Sequence, residues 1–298
     1  MTHPYATADY ARSLAHVGEA LAVPAWGGHV LTRPTPDGRA RDALGPYPLA
    51  VIARGADVAD GFEGLTAAGL VSLVVVLDER LRPAEADLEA GFDLVRPFKS
   101  HFLYDRGLGP LEYGKHHRYE LRRAQARVEV REIALADHLA AWQALYGDLA
   151  GRHGLTGLHA FPSLHHETLT RLPGVRAFGA FVEDRLVSAH IFVTHEGYAT
   201  SHLAASAPEG YATGAGYAVN DLAVRALTDC EVINFGGGAG LTEDPADGLV
   251  RFKKGFSNAT APSWLCGKVL DGAAYERLSS GFPRDGFFPA YRGAVGGR

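Results

Sequence analysis

Residues 175–205, VRAFGAFVEDRLVSAHIFVTHEGYATSHLAA, decide the architecture. They fall into three strand-forming runs, 175–181, 186–194 and 198–205, joined by the polar pairs Glu183-Asp184 and Glu196-Gly197. β-branched and aromatic residues suit a pleated surface, and a two-residue polar connection is the length of a hairpin turn. The reading is an antiparallel meander. Upstream of it stand a helical pattern over 135–150, a loop rich in His and Gly, and a second helix near 164–172. Downstream come a Gly-rich loop at 207–216, a helix ending near Asp229 and a strand at 231–235.

The earlier part of the chain alternates helix and strand as well. Leu14, Val17 and Leu21 recur at helical spacing and predict a helix over 8–21. The Gly- and Pro-punctuated stretch 26–46 reads as short strands and turns. Strands are expected at 49–53 and 71–77 around a helical pattern at 60–68. Pro83 opens a helix running to about Ala90, and strand-like 92–95 and 100–104 follow. The fold class is therefore α/β of the α+β kind, with expected domains 1–128 and 129–298.

Composition bounds the function. At 298 residues, with 47% apolar and 21% charged residues, the chain can bury a full core without staples. The strongly apolar run 70–77 is too short for a bilayer, and the polar start lacks the order of a signal peptide, so no membrane insertion and a cytoplasmic location are expected. Cys230 and Cys266 lie far apart without a CxxC partner, which excludes a zinc ribbon or a thioredoxin-like pair and leaves buried free thiols. None of the 14 histidines stands in an HExxH or comparable spacing, so no metal site is expected, although His153, His159, His165 and His166 gather in one region. His190, His195 and His202 fall on the meander strands.

A net charge of −5 argues against wholesale nucleic-acid coating but leaves room for a local basic stripe. Residues 115–131, KHHRYELRRAQARVEVR, supply one: Lys115, Arg118 and Arg122 share a helix face, with Arg123 and Arg127 close by. Such a run either solvates a helix or contacts phosphates. Two glycine clusters carry the same kind of alternative. Gly214 and Gly216 flank Ala215 before a helix, and Gly236, Gly237 and Gly238 follow a strand, so each set either permits a tight turn or brings backbone amides up to a ligand. Lysines are scarce, which singles out the adjacent Lys253 and Lys254 as the chain's one paired ammonium, or alternatively as plain surface charge. Neighbours on a helix or strand face different ways, so the sequence leaves open which of the two points inward.

Three segments carry a resemblance. Residues 233–257, INFGGGAGLTEDPADGLVRFKKGFS, combine a strand, a Gly-rich turn, an Asp-Gly and an FKxGF element. Residues 98–124, FKSHFLYDRGLGPLEYGKHHRYELRRA, look like a join between lobes, and Arg152-His153-Gly154 stands where Arg-Asp-Gly is more usual. The chain resembles the Fem-type aminoacyltransferases of the GNAT superfamily over roughly 98–278, and the first hundred residues match in pattern only. The resemblance implies two tandem GNAT-like lobes, each a mixed, mostly antiparallel sheet flanked by helices. It further implies an amide-forming transferase that moves an aminoacyl group from charged tRNA to a small-molecule or peptide amine, with aminoacyl-tRNA as co-substrate and no cofactor. An acyl-CoA N-acyltransferase and a non-catalytic binding module on the same fold are the rivals. Acetyl-CoA users carry R/Q-x-x-G-x-G/A before the second-lobe helix, whereas this chain has EGYATGAG without Arg or Gln at that offset.

The same resemblance implies site residues. Lys253 or Lys254 would act on the developing oxyanion or bind a phosphate, and His202, on the strand that supplies the acyl-site backbone, would relay the amine proton. Arg152, His153, His159, Tyr211 and Gly236–Gly238 would contact substrate. Lys115, Arg118, Arg122, Arg123 and Arg127 would meet the tRNA.

Overall fold

A computed structural model describes residues 2–240, 247–284 and 286–293. The chain divides into two compact units, one formed by residues 1–98 with 262–298 and the other by 99–261.

In the first unit the elements run α1 (Ala8–Ser13), β1 (Glu19–Val23), β2 (Gly28–Pro34), β3 (Arg41–Leu44), α2 (Val58–Ala67), β4 (Leu70–Asp78) and α3 (Glu85–Gly91). β1, β2 and β3 pair antiparallel in sequence order, and β3 pairs parallel with β4. Trp26, Phe62, Leu65, Leu73, Leu77 and Phe92 fill its core. The helix expected over 8–21 stops at Ser13, and its last predicted residues belong to β1. The pairing of β1 on β2 claims these residues, and Gly18 fits the close approach, since a Cβ there would lie 2.7 Å from the Thr32 carbonyl oxygen. Segment 49–53 is extended but joins no ladder; Ala50 N–H donates to Val76 and Ala53 N–H to Trp26.

The strand β5 (Leu94–Asp105) carries the chain into the second unit as one continuous strand where two runs were expected. There follow α4 (Lys115–Gln125), β6 (Glu129–Ile133), α5 (Leu139–His153), α6 (Ser163–Leu169), β7 (Val175–Val182), β8 (Arg185–His195), β9 (Tyr198–Ser206), α7 (Pro208–Thr213), α8 (Ala215–Ala226), β10 (Val232–Asn234) and α9 (Gly248–Lys254). β11 (Ala259–Val269) returns the chain to the first unit, where it pairs antiparallel with β4 and is followed by α10 (Gly272–Leu278). The second unit's sheet runs β5-β10-β9-β8-β7-β6, antiparallel throughout except for the parallel β9–β10 pair.

The meander is present as read. Glu183 (φ 47°), Asp184 (φ 61°), Glu196 (φ 45°) and Gly197 (φ 78°) are left-handed, the backbone that matches the twist of the flanking strands in a two-residue hairpin. Phe178, Phe192, Phe235 and Phe256 form the core between sheet and helices. The mixed, mostly antiparallel sheet flanked by helices is thus the observed architecture of each unit. The boundary, however, falls at 98/99 and 261/262 rather than at 128/129. The reason is pairing: β5 bonds to β10, and α4 packs on α8, so both belong to the second unit.

Cys230 and Cys266 are buried free thiols, pushed up to about 11 and about 12 by burial. Among the described residues no helix is long and apolar enough to cross a membrane, and no group of three or more His, Cys, Asp or Glu side chains is placed to hold a metal ion.

Candidate functional site

The site lies where β9 and β10 part. Their parallel register runs Val232↔Tyr198, Ile233↔Ala199 and Asn234↔Thr200, after which β9 continues to Ser206 while β10 turns away. A parting at the carboxyl ends of parallel strands is where open α/β sheets accept ligands. Just beyond it β9 bulges: the register passes from Ile191↔Leu203 to Phe192↔Ser201 and leaves His202 as the extra residue.

Asn234, fully buried, fixes the turn that follows. Its amide nitrogen lies 3.1 Å from Tyr198 Oη and 3.0 Å from His101 Nδ1, and its Oδ1 accepts the Gly236 N–H at 2.7 Å. Gly236 is left-handed at φ 74°, which favours glycine. At Gly237 and Gly238 the constraint is space, since a Cβ would approach the Ser100 carbonyl oxygen to 3.0 Å and Val250 Cγ2 to 2.8 Å.

The two lysines of the FKKGF element separate cleanly. On α9, which is N-capped by Asp247, Lys254 is exposed while Lys253 turns inward and donates from Nζ to the Gly237 carbonyl at 2.7 Å. Burial first, and the neighbouring Lys99 charge second, bring the Lys253 ammonium down to about 8 against a partial opposing pull from Asp247. Lys99, on β5, reaches the next carbonyl of the same turn, Gly238, at 3.4 Å. His101 is lowered to about 4 by burial, then by Lys253 and Lys99. His190, on β8, holds Asn220 of α8 at 2.5 Å and is lowered to about 4 by burial, with Lys253 a further cause. At neutral pH the centre thus presents two ammonium groups among neutral imidazoles.

The remainder of FKKGF is explained by α4. Gly255 is in ordinary helical backbone at φ −75°, but a Cβ there would fall 1.9 Å from the imidazole of His117. That ring bonds the Phe252 carbonyl at 3.0 Å through Nε2 and packs against Tyr217 and Phe256. The glycine is required for room, and it locks the lysine-bearing α9 to the basic helix.

His202 stands apart from Lys253 in its contacts. Its Nε2 lies 3.2 Å from that of His165, beside Phe161, and burial pushes it down to about 3. So weak a base is a neutral imidazole at physiological pH and accepts no proton outright, which leaves it only a hydrogen-bonding part in any relay. Arg152 and Tyr211 do meet: the guanidinium sits 4.7 Å over the ring and donates to the Ser206 carbonyl at 2.8 Å, at the far end of β9. His153 is exposed at the end of α5. His159 is lowered by burial and then by the Lys99 charge.

Lys115, Arg118 and Arg122 of α4 are exposed, as is Arg127 just beyond its end, whereas Arg123 is committed to Glu120 at 2.9 Å and the Ala212 carbonyl at 2.5 Å. Arg123 is therefore a tie between α4 and α7 rather than part of a free stripe. Sequence reasoning missed Lys99, His101 and Asn234, and it noted His190 only as one of three histidines on the meander strands. A signal existed for the first: the chain has five lysines, and FKSHF at 98–102 echoes FKKGF at 252–256.

No protein-family model matches the chain, and no curated protein matches it. Solved structures do. FemX is 12% identical over 93% of this chain and 95% of its own, with a TM-score of 0.63. The C-terminal domain (DUF2156) of a putative lysylphosphatidylglycerol synthetase from Agrobacterium fabrum is 16% identical over 90% and 88%, with a TM-score of 0.59. L-PGS from Bacillus licheniformis is 13% identical over 89% and 92%, with a TM-score of 0.56. At such identities the likeness is one of fold.

Proposed function

We propose that this chain is an aminoacyltransferase that moves an aminoacyl group from an aminoacyl-tRNA to an amine. The observation that carries the reading is the inward-facing Lys253, held on the glycine turn at the point where β9 and β10 part. In aminolysis a neutral amine adds to the ester carbonyl, forming the C–N bond and a tetrahedral oxyanion. The intermediate collapses by breaking the C–O bond, and the proton lost by the amine ends on the released ribose hydroxyl. An enclosed ammonium beside the oxyanion stabilises it where charge develops, and a group titrating near 8 releases and regains a proton within the physiological range.

The donor assignment rests on the α8 N-terminus. Where acyl-CoA enzymes wrap a pyrophosphate, this helix end already faces the Glu120 carboxylate, 3.4 Å from the position of a Cβ on Gly214, and Phe252 lies against Gly216. A second anion there would meet a like charge. Exposed Lys115, Arg118, Arg122 and Arg127 offer RNA phosphates a surface instead. The acceptor is a small-molecule or peptide amine, and charged tRNA as donor puts the reaction in the cytoplasm. Incubation with tRNA charged with labelled amino acids, in parallel with labelled acyl-CoA thioesters and a panel of amines, tests the reading. Amine-dependent transfer from tRNA supports it, and transfer from CoA alone would replace it with the N-acyltransferase reading.

A further inference from the structure

His101 has no part in the reaction as drawn, yet its surroundings dictate which of its nitrogens carries a proton. Residues 99, 101 and 103 share one face of β5, and Leu103 stands opposite Asn234 of β10. Lys99, His101 and Asn234 therefore lie on the same side of the sheet, beside the glycine turn. The turn fixes the Asn234 amide. The Gly236 N–H can only donate, and it donates to Oδ1 at 2.7 Å, so the other end of that side chain is its NH2 group. The NH2 directs its two protons at Tyr198 Oη, 3.1 Å away, and at His101 Nδ1, 3.0 Å away.

An imidazole nitrogen that accepts a hydrogen bond carries no proton, so a neutral ring in that position carries its one proton on the other nitrogen. His101 is thus an Nε2–H donor. Burial first, then the charges of Lys253 on α9 and Lys99 on β5, keep the ring neutral at physiological pH. The ring and the ammonium also flank one turn: Asn234 holds it at Gly236, and Lys253 Nζ holds it at the Gly237 carbonyl. The same Nζ lies 3.4 Å from the position of a Cβ on Gly236.

We propose that His101 is a further catalytic residue, a neutral Nε2–H donor to the oxyanion beside Lys253, and that Asn234 is the positioning residue that sets its tautomer. The proposal deepens the aminoacyl-transfer reading and rests on it for the reacting carbonyl. A neutral N–H stabilises developing charge without adding a third positive charge to the lysine pair. It keeps its proton throughout, so the formation of the C–N bond and the breaking of the C–O bond balance as before.

The test combines nitrogen NMR of the histidine-labelled chain, without turnover, with steady-state transfer by His101→Leu, His101→Gln and Asn234→Asp, thermal melts showing each variant folded. Wild type should show His101 as the Nε2–H tautomer. His101→Leu should lower kcat by about a hundredfold with the donor KM nearly unchanged, and His101→Gln, whose amide places an N–H near the Nε2 position, should recover most of the loss. Asn234→Asp keeps an acceptor for Gly236 N–H but draws the imidazole proton to Nδ1, and a ring in the wrong tautomer cannot donate from Nε2. Because the carboxylate also favours the imidazolium, which regains an Nε2 proton, the kcat deficit of Asn234→Asp against wild type should shrink between about pH 8 and about pH 6. The deficit of His101→Leu should stay constant over the same range. An Nδ1–H tautomer in wild type, undiminished kcat in His101→Leu, or a deficit in Asn234→Asp that ignores pH overturns the proposal while leaving aminoacyl transfer untouched. Absence of transfer from any charged tRNA would instead remove the functional reading. The same variants are then read with an acyl-CoA donor, and if no donor serves, the catalytic part of His101 falls as well.

Discussion

Gly255→Ala isolates the packing that fastens α9, and with it Lys253, to α4. The added methyl would fall 1.9, 2.0 and 2.3 Å from Cε1, Nε2 and Nδ1 of His117, too close for any small adjustment. The imidazole has nowhere to retreat without losing its bond to the Phe252 carbonyl and its packing on Tyr217 and Phe256. Overpacking costs about 1–3 kcal/mol, and the broken hydrogen bond adds about 0.5–1.5 kcal/mol. Because the backbone at Gly255 is helical, alanine recovers about 0.4–1 kcal/mol through the unfolded chain. The net expectation is destabilisation of about 0.5–4 kcal/mol, read as a Tm lowered by about 2–4 °C for each kcal/mol. The assay is thermal unfolding of a four-member cycle with His117→Ala. Once the ring is gone, the three nearest contacts go with it and the helix preference of alanine weighs more. Gly255→Ala should therefore destabilise the wild type but be neutral or stabilising in His117→Ala. Equal destabilisation in both backgrounds would refute the steric account.

Acid should unfold the protein early. His101, His166 and His190 titrate at about 4 and His202 at about 3 in the folded chain, against about 6.5 when unfolded, so the unfolded state binds more protons below pH 6.5. Stability falls as pH falls through that window, by up to about 1.4 kcal/mol per pH unit for each group; denaturant midpoints that stay constant from pH 7 to pH 5 would contradict the burial of these rings. Replacing Lys115, Arg118, Arg122 and Arg127 by Gln should weaken tRNA binding and flatten its salt dependence by about one unit of slope for each phosphate no longer neutralised, and an unchanged salt series would remove α4 from the tRNA surface. Arg123→Gln should act differently, lowering Tm because it releases Glu120 and the Ala212 carbonyl.

The second unit was legible where local rules govern it. Hairpin turns and period-two runs put β7, β8 and β9 in place, and the basic run ending at Gln125 formed the expected helix. The sequence could not show which of Lys253 and Lys254 faces inward, because that depends on the phase of α9 against the glycine turn. Lys99 was hidden for a related reason: its neighbour Gly238 is distant in sequence, and only the β5–β10 pairing brings them together. The domain boundary failed similarly, since β11 returns to β4 by a long-range pairing that no local pattern announces. In the first unit the helical spacing of Leu14, Val17 and Leu21 was real but was overruled by pairing of β1 on β2. His202 was read from its strand, and its partner His165 comes from a helix that the strand pattern does not mention.

The central claim is tested most directly by comparing Lys253→Met with Lys254→Met in steady-state transfer from charged tRNA to an amine, measured across pH. If Lys253 stabilises the oxyanion, its replacement should lower kcat by about a hundredfold or more, the usual loss for one such donor, with the donor KM nearly unchanged. Lys254→Met, altering an exposed side chain, should leave turnover near that of the wild type. Wild-type activity should decline as pH rises through about 8, where the Lys253 ammonium loses its proton. Full turnover in Lys253→Met, or an equal loss in both variants, would contradict the account.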